Sequence, residues 1–192
     1  MEVLGSSVSR RATGRLLLAV LIAAASGACP GGETPTEYEV KAAFILNFAR
    51  FVEWPDVALA SGSGVLTIGI LGKDPFEGAL ERVVENKMVG ARKLAVVHVD
   101  GIELMKPVQI LFISRSEIGR LAEILARLRG APVLTVGDME HFARDGGVIN
   151  FILEDGRIRF EINPAAARSA GLRLSSKLLR VAKVITPEGE VR

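Results

Sequence analysis

Four short apolar runs, VLTIGIL (65–71), KLAVVHV (93–99), VQILFIS (108–114) and PVLTVG (132–137), are each followed by polar or helix-forming stretches. Runs of this length that are apolar at successive positions suit strands buried on both faces, and the intervening segments suit helices. Together they predict an α/β domain with a mixed, mostly parallel sheet covered by helices on both sides. One helix is expected from an Asp74 cap, with Pro75 at its first position, to about Asn86. Another is expected from Ser114, with Glu117 completing a capping box, to Gly130, with Ile118, Leu121, Leu125 and Leu128 facing the core. A short third helix would be capped by Asp138 and close near Gly146.

The chain on either side of this alternation is equally patterned. Thr36 and Glu39 form a capping box, so a helix should start there and end at Trp54-Pro55. Its apolar face would be Val40, Phe44, Phe48, Phe51 and Val52, widened by Ile45 and Ala49. After the last parallel strand, VINFILEDGRIRFEIN (148–163) reads as a hairpin turning at Asp155-Gly156. Pairing outward sets Leu153 against Ile158, Phe151 against Phe160 and Ile149 against Ile162 on the core face. Glu154 with Arg157, Ile152 with Arg159, and Asn150 with Glu161 fall on the other. A slip of one residue would mix the faces, so the register is strongly specified. Asn163-Pro164 should cap a helix ending at Gly171, and a last helix should cover Ser175 to about Lys183.

The N-terminus sets the compartment. Arg10, Arg11 and Arg15 precede a ten-residue apolar stretch, Leu16 to Ala25, and small residues follow through Ala28. That is the layout of a secretory signal peptide, and it falls well short of the roughly 20 residues needed to span a bilayer. Ser26 and Ala28 suit ordinary signal peptidase, whereas Gly27-Ala28-Cys29 resembles the end of a lipobox with Ser26 as a departure. Both processing routes stay open, the second lipidating Cys29. The expected organisation is a signal peptide at 1–28, a flexible lead at 29–36, one domain at 37–185 and a tail at 186–192. Cys29 is the only cysteine, so no intramolecular disulfide can form.

Charge excludes one function class and suggests another. The chain has 24 basic and 22 acidic residues, but removing the leader leaves 21 of each. The basic excess therefore belongs to the leader and gives no support to nucleic-acid binding. Within the domain the charge is uneven: residues 29–155 carry a net −5 and residues 156–183 a net +6. Arg157, Arg159 and Glu161 align on one strand face, with Arg173 and Lys177 following. Two arginines two residues apart can offer paired forks to a carboxylate or phosphate. The alternative is a solvated face neutralised by internal pairs such as Glu154 with Arg157 and Arg159 with Glu161.

Nothing in the sequence reads as catalytic, metal-binding or cofactor-binding. His98 and His141 lie in no ligand spacing, and no GxSxG elbow or SxxK motif is present. Gly69 to Asp74 follows a strand but lacks the third glycine of a dinucleotide loop and the GK[ST] of a P-loop, and Asp74 would repel phosphate. Ser114 and Arg115 occupy the place where a receiver domain needs its phosphorylated aspartate.

The segments KAAFILNFARFVEWP, LTIGILGKDPF, ILFISRSE, PVLTVGD, GGVINFILEDGRIRFEIN and AGLRLSSKLL, in that order, resemble the YfiR family of periplasmic proteins over about residues 37–183. The resemblance implies a non-enzymatic repressor that binds the sensory domain of an inner-membrane diguanylate cyclase. It would thereby limit cyclic di-GMP synthesis and biofilm formation. It also implies sequestration by an outer-membrane lipoprotein with a peptidoglycan-binding domain, and a compact α/β fold that forms a homodimer. The family's type member carries disulfide-forming cysteines, whereas Pro107-Val108-Gln109 here precedes ILFISRSE, so redox control is not implied. A periplasmic small-molecule or anion sensor acting with another membrane protein fits the same residues. An exported enzyme would require a buried pocket with converging titratable groups.

Overall fold

The computed structural model describes residues 34–59, 64–102 and 107–185. Residues 35–192 form one unit and residues 1–34 another; the expected signal peptide, Cys29 and the expected tail from 186 onward lie outside the described residues. The helices are α1 (Glu37–Phe51), α2 (Asp56–Leu59), α3 (Ala79–Val84), α4 (Leu121–Arg127), α5 (Pro164–Ser169) and α6 (Ser176–Val181). The strands are β1 (Val52–Glu53), β2 (Val65–Leu71), β3 (Met88–Val89), β4 (Arg92–Val99) and β5 (Ile110–Ile113). They continue with β6 (Leu134–Gly137), β7 (Ile149–Glu154), β8 (Arg157–Ile162), β9 (Arg173–Leu174) and β10 (Lys183–Val184).

An 8-stranded sheet runs in the order β10-β8-β7-β6-β5-β2-β4-β3, and a 2-stranded sheet pairs β1 with β9. The pairs β6/β7, β5/β6, β2/β5, β2/β4 and β8/β10 are parallel, so the sheet is mostly parallel as its apolar runs require. The chain goes from β2 to β4 on one side and returns to β5 on the other. The strand order therefore reverses at β2, and the carboxyl ends of β2 and β5 open onto a switch point. Both faces are covered. One carries the larger core, built from α1, α3, α5 and α6 on residues such as Ile68, Ile110 and Leu134. The other carries Leu121, Ile124, Leu128, Met139 and Phe142 over Leu71, Leu111 and Ile113.

The hairpin adopts the expected register at every pair, from Glu154 opposite Arg157 to Ile149 opposite Ile162. Asp155 and Gly156 both take positive φ, 51° and 69°, as a two-residue primed turn demands. The expected cap at Asn163 forms, accepting from the N–H of Ala166, and Ser175, expected as the first residue of the last helix, is its cap and accepts from the N–H of Leu178. At Thr36 the full capping box is present: Thr36 Oγ1 accepts from Glu39 N at 3.3 Å, and Glu39 Oε2 accepts from Thr36 N at 2.8 Å. Thr36→Ala is expected to lower the unfolding free energy by about 1 kcal/mol. The backbone N–H of Thr36 holds the Glu39 carboxyl below its ordinary range. A depressed folded value gives stability at neutral pH that is lost as pH falls through it. Urea titrations at neutral and acidic pH should show the deficit of Glu39→Gln narrowing in acid.

Several helical expectations are corrected. The segment after Asp74 is not yet helical: Asp74 Oδ1 accepts from Phe76 N at 2.7 Å, and Glu77 and Gly78 take φ of 51° and 80°. This closes a local turn and delays α3 to Ala79. Ser114 makes no side-chain cap, and Arg115–Arg120 is a 3₁₀ segment leading into α4. That phase shift leaves Ile118 59% exposed and buries Ile124 in its place. Residues 139–146 form turns, not a helix. His141 takes φ 61°, and Phe142 is clamped where a Cβ on Gly137 or Gly147 would lie 2.7 or 2.1 Å from its ring. Helix α1 ends at Phe51, because Val52–Glu53 pairs antiparallel with β9. The last helix ends at Val181, because Lys183–Val184 pairs with β8.

Candidate functional site

The buried stripe of α1 is rotated from the expected one. Ala42, Ile45 and Ala49 are at its centre, Phe44 and Phe51 are half-buried at its margins, and Lys41 is buried. The charge at Lys41 is met from the far end of the sheet. Asp138, directly after β6, places Oδ2 2.7 Å from Lys41 Nζ. Tyr38, one helical turn earlier, donates its hydroxyl to the same oxygen at 2.8 Å, and Lys41 Nζ lies 4.3 Å from the Tyr38 ring centre. Glu37, its own side chain half-exposed, forms a second ion pair with the buried Lys41. Burial, then the hydrogen bond to Asp138 and its negative charge, push the Tyr38 hydroxyl well above its ordinary pKa. Asp138 Oδ1 is buried with no hydrogen-bond partner among the described residues.

Arg115, just beyond β5, donates from Nη2 to the Asp138 carbonyl at 2.7 Å. Asn150 on β7 accepts from Met139 N at 3.2 Å. These bonds tie the carboxyl ends of β5 and β6 to the hairpin and leave a cleft on either side of Arg115. One, of about 370 Å³, is bounded by Arg115, His141, Arg144, Asn150, Ile152 and Glu161. The other, of about 490 Å³, lies at the switch point between Tyr38, Lys73, Ser114, Arg115 and Ser116. The Lys73 N–H is already spent on Ser116 Oγ at 2.9 Å. Tyr38 and Lys41 likewise spend their polar groups on Asp138, so this arrangement anchors a helix to a sheet.

The charged residues singled out by sequence are distributed over three elements. Arg157, Arg159 and Glu161 lie along β8. Arg159 Nε is 3.0 Å from Glu154 Oε2, with both side chains about half exposed, so its partner is Glu154 and not Glu161. Glu161 is half-buried, accepts from Asn150 Nδ2 at 3.4 Å and forms part of the first cleft's wall. Arg157 is exposed at the hairpin tip. Arg173 is on β9, with Nε 3.6 Å from Glu53 Oε2 in a fully solvated pair. Lys177 is exposed on α6. Of the two histidines, His98 Nε2 sits 3.1 Å from Asp74 Oδ2. With Glu81 these residues bring three ligand-type atoms within 4.8 Å of one another, around a half-exposed ion pair.

No helix among the described residues is long and apolar enough to cross a membrane. A protein-family profile described as YfiR/HmsC-like matches residues 38–183. No curated protein matches the chain. Among solved structures it is similar to the ABC domain in complex with L-Trp from Streptococcus pneumonia. That likeness has 11% identity and a TM-score of 0.46, covering 71% of this chain and 60% of the other. It is also similar to a protein of unknown function from the DUF364 family of Pyrococcus horikoshii. There the identity is 14% and the TM-score 0.28, covering 75% of this chain and 62% of the other. The chain thus spans less than two thirds of either structure, and likenesses this distant do not bear on function.

Proposed function

The chain belongs to the YfiR/HmsC-like family, and from that membership we propose that it is a periplasmic, non-enzymatic regulator of a diguanylate cyclase. In this reading it binds the sensory domain of an inner-membrane diguanylate cyclase and restrains cyclic di-GMP synthesis and biofilm formation. The observation that carries the reading is the extent of the family match, which runs from the first turn of α1 to the start of β10. The leader at 1–28 would deliver the protein to the periplasm, with Cys29 either a plain N-terminus or a lipid anchor. An outer-membrane peptidoglycan-binding lipoprotein that sequesters the regulator would complete the circuit.

The partner surface we propose is the basic C-terminal region, with Arg157 and Arg159 presented on the outward face of β8 and Arg173 and Lys177 beyond it. Their side chains are solvated and lightly paired, so they can exchange internal partners for those of an acidic surface at little cost. Arg159→Glu would set a second carboxylate beside Glu154 and reverse the charge offered to the partner. The variant is expected to lose repression and raise cellular cyclic di-GMP toward the level of a deletion strain, with export and thermal midpoint unchanged. Wild-type cyclic di-GMP in that variant would mean that this face is only solvated.

A second reading, a sensor of small anions acting with another membrane protein, is favoured by the cleft where Arg115, His141 and Arg144 converge. Isothermal titration of the purified protein with inorganic phosphate and simple carboxylates tests it directly. An absence of heat up to millimolar ligand would remove it.

A further inference from the structure

Three side chains from separate elements meet where β2 and β4 end. Asp74 lies just beyond β2, His98 is the last residue but one of β4, in register with Ile70, and Glu81 is in the first turn of α3. Each brings one ligand-type atom, and the three atoms lie within 4.8 Å of one another. Asp74 is fixed in place: Oδ1 accepts from Phe76 N at 2.7 Å, while Oδ2 faces His98 Nε2 at 3.1 Å. Glu81 carries a second, independent sign of a ligand. Its Oε2 is sealed from solvent and has no hydrogen-bond partner among the described residues. A carboxylate oxygen is costly to leave bare in such a position, and a buried unsatisfied acceptor calls for a bound water or ion. The adjacent arginine does not supply the missing charge. Arg82 turns its guanidinium to the Glu77 carbonyl at 3.4 Å and to Glu39 at 3.6 Å.

We propose that Asp74, Glu81 and His98 hold a divalent cation of the zinc type. The donor set decides the class. One imidazole nitrogen with two carboxylates suits zinc and its first-row neighbours, whereas magnesium and calcium take oxygen ligands. The spacing agrees: zinc bonds of about 2.0–2.2 Å, directed to the corners of a tetrahedron, put neighbouring donors about 3.3 Å apart. Asp74 Oδ2 and His98 Nε2 are already close to that separation, and Glu81 has only to draw in. The ion places two positive charges between two carboxylates and gives the sealed Glu81 carboxylate a partner. The Phe76 N–H acts as the outer bond that orients Asp74 toward it. The His98 side chain is 56% exposed and that of Asp74 19%, so the ion enters from solvent and a fourth position stays open to water. His98 is 24 positions from Asp74, a spacing no short ligand motif contains, so the chain fold alone assembles the set. The site does not depend on the regulatory reading, because it uses none of the residues invoked there.

The test titrates the metal itself. The parent is the purified protein carrying Cys29→Ser, so that no thiol competes, and freed of any affinity tag. Isothermal titration with zinc chloride should show one ion per chain, and magnesium chloride should give no binding heat at the same concentrations. Glu81→Gln and His98→Ala should each weaken zinc binding by at least about tenfold, and His141→Ala should leave it unchanged. Zinc should raise the thermal midpoint of the parent and of His141→Ala, and leave those of Glu81→Gln and His98→Ala where they were. Without metal, Glu81→Gln should melt no lower than the parent, because it removes an uncompensated charge, so its loss of zinc cannot come from unfolding. Absence of both heat and thermal shift at millimolar zinc would overturn the proposal. So would an affinity that Glu81→Gln and His98→Ala leave intact, since the ion would then sit elsewhere, or magnesium binding as tight as zinc.

Discussion

Truncating Lys41 to alanine should destabilise the domain by about 3–5 kcal/mol, the range for removing one member of a buried ion pair. Lys41 and Asp138 are 3% and 4% exposed. Without the ammonium, the Asp138 carboxylate keeps the Tyr38 hydroxyl and loses its ion-pair partner, in surroundings that include the Phe151 ring. Asp138→Ala should cost less, because the stranded Lys41 retains Glu37 at the half-exposed end of the helix. Replacing both residues at once, as Lys41→Met with Asp138→Leu, should cost less than Lys41→Ala alone, since no charge is left buried. Urea unfolding of the three variants measures all of this. Single-variant losses that are small and simply add would show that the pair is not coupled. The Tyr38 hydroxyl gives a pH check. Its pKa is raised on folding, so its contribution is present below the ordinary tyrosine value and is lost as pH rises beyond it.

This anchor is also the clearest case of what the sequence did not disclose. Lys41 and Asp138 lie 97 positions apart, and each has a bland local reading, one as a solvated helix charge and the other as a helix cap. Only the strand order, which sets the end of β6 beside α1, gives them a shared purpose. The same distance hides Arg115, whose bond to the Asp138 carbonyl joins two loops. The two-residue strands β1, β9 and β10 have no internal periodicity and exist through tertiary pairing alone. By contrast, the hairpin was legible residue for residue, because its turn dipeptide and its alternation agree. The parallel sheet was legible because four apolar runs leave few other ways to be buried. The basic residues of β8 were visible as charge. Their true pairings were not, because Arg159 reaches diagonally across the hairpin to Glu154, where the sequence suggested Glu161 two residues along its own strand.

The hairpin supplies the second large effect, and it separates register from extent. Phe160 is 3% exposed. It meets Phe48 edge-on at 5.1 Å and Phe44 at 5.5 Å, and it sits opposite Phe151 across the strands. Phe160→Ala should therefore cost about 3–5 kcal/mol, combining lost transfer energy with a cavity that helix α1 cannot collapse to fill. Arg157, on the other face of the same strand, is exposed at the tip, and its alanine variant should cost well under about 1 kcal/mol. Equal losses at the two positions would mean that the faces are assigned the wrong way round. Leu153 is the sharper control. Alternation places it on the same face as Phe151, yet it is 67% exposed, because the hairpin extends past the end of the core. Leu153→Ala should accordingly resemble the arginine variant in chemical denaturation, with a loss below about 1 kcal/mol. A loss comparable to that of Phe160→Ala would show that something covers the tip in solution, and the hairpin end would then itself be an interface.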